Sequence, residues 1–176
     1  MKSKDLKEVT IDDEWVTALD YGQMAIRLAY SLAKAPIHFE DAYLLERKID
    51  SSREIVKKLM NIMLNAPASK AWTAPRRMSA IDKDSDFQRR LILEINTFHK
   101  PIAHLFGGQH GMKFMFMESE ILIDVLLGLN SQGIVALPIH DGLLVKPSQQ
   151  EVAKKVMLKV FKQHTNVNAT VSIEAL

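Results

Sequence analysis

The spacing of apolar and polar positions changes several times along the chain, and each change predicts an element. Glu14-Trp-Val-Thr-Ala-Leu19 favours a pleated surface and predicts a short strand, stopped at Asp20-Tyr-Gly22. From 23 to 34 the apolar residues Met24, Ile26, Leu28, Ala29, Leu32 and Ala33 recur at helical spacing until Pro36. A second helix is expected from Asp41 through Ala42-Tyr-Leu-Leu-Glu-Arg47. A third should run from Arg53 to Asn65, with Ser51-Ser52 as N-cap and Pro67 past its end. Segment 67–84, with two prolines and several charges, reads mostly as loop. Residues 87–96 read as helix. Pro101 suits the first turn of a short helix over 101–106, which Gly107-Gly108 breaks.

The last third is patterned as a long apolar helix over 112–129 carrying Glu118, Glu120 and Asp124, with Gly133 as a stop. Ile134 to Ile139, His140-Asp141-Gly142 and Leu143-Leu-Val145 then read as strand, tight turn, strand, with Asp-Gly as the hairpin signal. Pro138 cannot donate to a ladder and argues for an edge position or a bulge. Ser148 is expected to cap a helix over 149–164, and 167–173 alternates like a final strand. No internal repeat or linker is visible. The fold class expected is α+β with a small antiparallel sheet.

Composition narrows the picture only a little. With 176 residues, 47% hydrophobic and 25% charged, the chain suits one packed domain rather than a disordered or low-complexity polymer. There is no cysteine, which excludes disulfides, thiolate zinc sites and a cysteine nucleophile. Neither an apolar run of about 18 residues nor a signal-peptide core is present, so a soluble, cytoplasmic protein is expected. The net charge of +2 is unevenly spread: residues 1–50 sum to −3, 53–77 to +5 and 146–162 to +4. Lys154, Lys155, Lys159 and Lys162 fit a solvated helix face as well as a DNA-backbone contact. Arg76-Arg77, beside Trp72, are a phosphate or stacking candidate. His99, His104 and His110 lack an acidic partner and read as packing or capping groups rather than zinc ligands. The methionines of 112–117 read as adaptable core.

Candidate chemistry centres on two aspartates. Asp20 is expected at the end of a strand and Asp141 at a hairpin tip; each by itself is an ordinary turn residue. Arg53, Lys57, Asn61 and Asn65 recur every four residues, on one face of a helix that is either solvated or shaped to grip a polyphosphate. Two carboxylates on strands with a cationic helix is the equipment of metal-assisted phosphoryl transfer.

In order and context these residues resemble a family. Asp20-Tyr-Gly-Gln-Met-Ala-Ile-Arg27 is similar to motif A of family A DNA polymerases, D-Y-S-Q-x-E-x-R. Arg53-x-x-x-Lys57 resembles the opening of motif B, the fingers helix. Ile139-His140-Asp141-Gly142-Leu143 resembles motif C of the same superfamily, which includes the single-subunit phage RNA polymerases. The resemblance implies one palm-and-fingers module over 1–176, with motif A in 14–40, the motif B-like helix in 51–66, and the motif C hairpin and palm end in 112–173. It implies a template-directed nucleotidyltransferase of phage or plasmid type in a bacterial or phage-infected cell, using a two-ion Mg²⁺ site and binding a nucleic acid primer/template and a nucleoside triphosphate. Asp20 and Asp141 would be the metal carboxylates. Arg53 and Lys57 would meet the nucleotide phosphates, with Lys57 also a general acid toward pyrophosphate and Asn61 and Asn65 further along the same helix. His140 would support the primer end, Arg76 and Arg77 would meet nucleic acid, and Glu118 would lie near the minor groove.

Departures from the pattern carry their own implications. Ala25 stands where the DNA polymerases have a glutamate that gates against a ribose 2′-hydroxyl, as in the RNA-polymerase branch. Asn61 and Asn65-Ala66 replace the aromatic and the Tyr-Gly of motif B, and Gly142 replaces the acidic or hydroxyl residue after the motif C aspartate. Nineteen residues precede Asp20, where such enzymes carry a thumb, so a second chain or copy is expected to supply it. The alternatives are a non-catalytic polymerase-like subunit that binds nucleic acid or a partner protein, and an RNA polymerase or primase-type activity.

Overall fold

The backbone is described for residues 8–45, 52–73 and 85–175 of a computed structural model, and the side chains for the same residues except 85 and 175. The fold is α+β. Long-range contacts divide the chain into two compact units, one of residues 1–28 with 116–176 and one of 29–115.

The first unit is built on a four-stranded antiparallel sheet in the order β4-β5-β3-β6, where β3 is Thr17–Gly22, β4 Leu137–Ile139, β5 Gly142–Val145 and β6 Thr170–Ala175. Alternation along β3 sorts its two faces. Thr17, Leu19 and Tyr21 are buried, and Tyr21 meets helix α6 (Gln150–Thr165), its hydroxyl donating to the Met157 carbonyl at 2.7 Å and its ring 5.3 Å from Phe161. Burial pushes the Tyr21 hydroxyl pKa well upward, so it stays a neutral donor. Asp20 is exposed on the other face. A two-stranded ribbon, β1 (Thr10–Ile11) with β2 (Glu14–Trp15), carries Ile11 into a cluster with Val16 and Leu144, bordered by Val9, Ala18 and Ile139.

Helix α5 (Gly111–Asn130) buries Phe114, Ile121, Val125 and Leu129 along one face. Its later turns meet α6: an added Cβ on Gly128 would lie 3.2 Å from Val156, and His164 Nε2 donates to Asp124 at 2.7 Å. Leaving β3, Gln23 takes a left-handed conformation (φ 60°) to start helix α1 (Met24–Leu32).

In the second unit, α2 (Arg53–Asn65) buries Val56, Leu59, Met60, Met63 and Leu64, and α4 (Ser85–Phe98) buries Leu91 and Ile95. The short α3 (Ala68–Ala71) follows α2, and a 3-10 helix, Lys100–Leu105, follows α4. Ser52 caps α2, its hydroxyl accepting from the Ile55 N–H. His99 is fully buried. Its Nε2 faces the Ala42 carbonyl, which can only accept, so the ring is the Nε2–H tautomer and Nδ1 accepts from the Tyr30 hydroxyl at 3.1 Å. Burial lowers the His99 pKa to about 4.

Six local expectations are corrected. The strand expected to stop before Asp20 runs on to Gly22, because pairing with β6 reaches Gly22↔Thr170; Asp20 lies inside the strand. Residues 41–45 form a turn instead of starting a helix, because Asp41 Oδ1 accepts from the Tyr43 N–H. Ser148 does not cap α6; it lies in a 3-10 turn with its hydroxyl 3.3 Å from Glu14. The hairpin closes one residue earlier than the Asp-Gly signal predicts: Ile139 pairs with Gly142, and His140 takes the left-handed conformation (φ 50°). Met112 and Met115 are 79% and 63% exposed, since both fall off the Phe114–Ile121–Val125 face, Met112 on its far side and Met115 about 100° round from Phe114. The edge position that Pro138 argued for is the position of β4, and 134–136 stay outside its ladder.

Candidate active site

Two antiparallel neighbours bring the candidate aspartates to one end of the sheet. β3 pairs with β5 in the register Leu19↔Leu143 and Asp20↔Gly142, so Asp141 is one residue past the position facing Asp20. Strands so paired lie about 4.8 Å apart. Gly142 makes this approach possible. A Cβ there would overlap the Leu19 carbonyl oxygen and stand 3.0 Å from Asp20 Oδ1. Asp141 is half-buried in the turn, and His140 beside it is exposed.

A third carboxyl reaches this end from α5. Glu118 lies four residues after Phe114 and three before Ile121, on the buried face of the helix. Burial pushes its pKa up to about 7, and the negative charge of Asp141 adds to the shift. Ala25 is half-buried in the first turn of α1. Arg27, from the same motif, is buried and donates to the Asn168 carbonyl at 2.7 Å, a packing role.

The donor set suits a hard cation. Mg²⁺ takes oxygen ligands, commonly one or two carboxylates with water and substrate phosphates completing the shell, and Asp20 and Asp141 fit that partial set. Among the described residues no group of three His, Cys, Asp or Glu side chains is arranged to hold a metal ion by itself.

In the second unit, the four polar positions of α2 do different things. Arg53 Nε donates to Asp41 at 2.6 Å and Nη1 to Glu54 at 3.2 Å, and its guanidinium carbon lies 5.0 Å from the Tyr43 ring centre. The Asp41 hydrogen bond raises the Arg53 pKa further. Lys57 is exposed and Asn61 half-buried. Asn65 packs over the start of α5, where a Cβ on Gly111 would lie 3.1 Å from its Oδ1. Arg76 and Arg77 lie outside the described residues.

Sequence reasoning missed Asp41, Tyr43 and Glu54 as partners of Arg53. Glu54 was legible as the adjacent residue; Asp41 and Tyr43 were hidden by the helix expected there. Lys155, Lys159 and Lys162 are exposed on α6, and Lys162 donates to the Asn166 carbonyl. Among the described residues no helix is long and apolar enough to cross a membrane. No protein-family model matches this chain, and no curated protein matches it.

Proposed function

We propose that the protein is a template-directed nucleotidyltransferase of the DNA polymerase kind, joining a nucleoside triphosphate to a primer end. The observation that carries this reading is the β3–β5 register, which sets the motif A-like Asp20 opposite the residue that follows the motif C-like Asp141. In the reaction the primer 3′-oxygen bonds to the α-phosphorus, the bond from that phosphorus to the bridging oxygen breaks, and pyrophosphate leaves.

Asp20 and Asp141 would hold the Mg²⁺ pair. When bound, such ions supply charge neutralisation at the attacking and leaving oxygens. Glu118, held largely as the neutral acid below pH 7 beside Asp141, limits the negative charge concentrated there. His140 is exposed at the turn and can donate to the primer terminus. On the second unit, Arg53 and Lys57, exposed one turn later, would be the cations for a nucleotide's phosphates that the motif B-like spacing implies, with Lys57 also able to give a proton to pyrophosphate. Ala25 leaves room for a ribose 2′-hydroxyl.

Primer extension with Mg²⁺, offering deoxynucleotides and ribonucleotides separately, tests the reading. Incorporation is expected, and Asp141→Ala should abolish it with an unchanged circular dichroism spectrum. If the folded protein incorporates neither kind of nucleotide, the reading is rejected. Ala25→Glu should shift preference toward deoxynucleotides; an unchanged ratio would remove the gate at that position.

A further inference from the structure

Helix α5 is apolar on two faces. One, with Phe114, Ile121, Val125 and Leu129, is buried. The other stays in solvent: Met112, Phe116, Ile123 and Leu127 are each half or more exposed. At about 100° per residue these four fall within about 60° of one another, a stripe about 22 Å long on one uninterrupted helix. Together they expose on the order of 500 Å² of apolar surface, near the upper end of the largest patch a monomer ordinarily carries.

The stripe has an internal symmetry. Read outward in both directions from the point between Ser119 and Glu120, Phe116 matches Ile123 and Met112 matches Leu127. A second copy of α5 laid antiparallel, with a two-fold axis through that point, therefore sets Phe116 against Ile123 and Met112 against Leu127 from both sides. Ser119 is small and lies beside the axis, where it lets the helices close to the about 8–10 Å of packed helices. The rims complement each other too. On one, Lys113 comes within a turn of Asp124 of the second copy, twice by symmetry; on the other, Met115 meets Leu126. Glu120 meets its own counterpart beside the axis, a like-charge contact on the solvated rim.

We infer that the outer stripe of α5 is a homodimer interface, in which two copies pack antiparallel about a two-fold axis between Ser119 and Glu120. With its rims the contact approaches the about 800 Å² per partner of a specific interface. Nucleic acid fits the stripe less well, because Glu120 and Asp124 border it. Dimerisation of this kind does not depend on the nucleotidyltransferase reading.

Sedimentation velocity and single-cysteine cross-linking test the arrangement; the native chain has no cysteine, so each introduced thiol reports alone. The wild-type protein should sediment as a dimer at about 100 µM, and a monomer there overturns the inference. Phe116→Glu places a charge in the stripe twice per dimer and should raise the dimer Kd at least about thirtyfold with an unchanged circular dichroism spectrum. A Kd unmoved by it puts the interface elsewhere and also overturns the inference. Glu120→Gln removes the like-charge contact and should lower Kd about two- to fivefold; a raised Kd contradicts the two-fold position. Under mild oxidation Ser119→Cys should cross-link two copies beside the axis, while Asn130→Cys, about 30 Å from its counterpart, should not. Failure of Ser119→Cys to cross-link, or equal cross-linking of both variants, overturns the antiparallel pairing. A monomeric chain whose binding of an oligonucleotide duplex falls in Phe116→Glu would make the stripe a nucleic-acid surface instead.

Discussion

A Cβ on Gly142 would overlap the Leu19 carbonyl and crowd Asp20, so the residue after Asp141 is fixed by strand packing. The motif C pattern that 139–143 resembles has an acidic or hydroxyl side chain after this aspartate; here the backbone of β3 occupies that space. Gly142→Ala should cost about 1–3 kcal/mol, because the overlap is with backbone rather than a flexible side chain. Urea denaturation measures this directly, and a loss below about 0.5 kcal/mol would mean that the strands separate more easily than this packing implies. Glu118 gives a similar lesson about local context. It is legible as a carboxylate within a strongly apolar helix, but the effect of burial and of Asp141 on it arises only once α5 and the hairpin are folded.

At the scale of elements, helix ends separate what local chemistry decides from what it does not. Ser52 stands just before Arg53 and caps α2, as its type and position predict. Ser148 has the same chemistry near α6, but its hydroxyl turns to Glu14 on the two-stranded ribbon. Ser52→Ala should therefore cost about 1 kcal/mol, whereas Ser148→Ala should stay within about 0.5 kcal/mol. Thermal melts of the two variants side by side check the contrast; equal losses would mean that the α2 cap contributes nothing special. The hairpin shows the same division. Its two strands and its turn were legible, but the left-handed residue is His140 because Gly142 is needed in the ladder, paired with Asp20 and close to the Leu19 carbonyl.

For the whole molecule, buried His99 and half-buried Glu118 set opposing slopes of stability with pH. His99 has a folded pKa of about 4 against an ordinary 6.5, so the unfolded chain takes up a proton first as pH falls. Its contribution is complete above 6.5 and is lost progressively toward 4. Glu118 has a folded pKa of about 7 against an ordinary 4.5, so the folded chain keeps a proton that the unfolded chain releases. Its contribution is complete below 4.5 and is lost as pH rises toward 7. Glu118→Gln should therefore gain stability relative to wild type across that interval in chelator-treated buffer. Denaturation midpoints taken through the interval test this, and a constant difference would mean that Glu118 titrates normally.

Sequence by itself determined the α+β class and most of the elements: α1, α2, α4, α5, α6 and the β4–β5 hairpin all follow apolar spacing or turn chemistry that acts within a few residues. It also marked Asp20, Asp141 and Glu118 as candidate site carboxylates, by their order along the chain and a motif resemblance rather than by any one position. Tertiary structure decided what each of them meets. The run of β3 past Asp20 depends on β6, which lies 148 residues away at Gly22↔Thr170. The turn at 41–45 owes its shape to Asp41, which also pairs with Arg53 twelve residues on. Pairings of this kind are made between segments distant in the chain, and their energy comes from contacts that exist only after folding, so local periodicity carries no record of them.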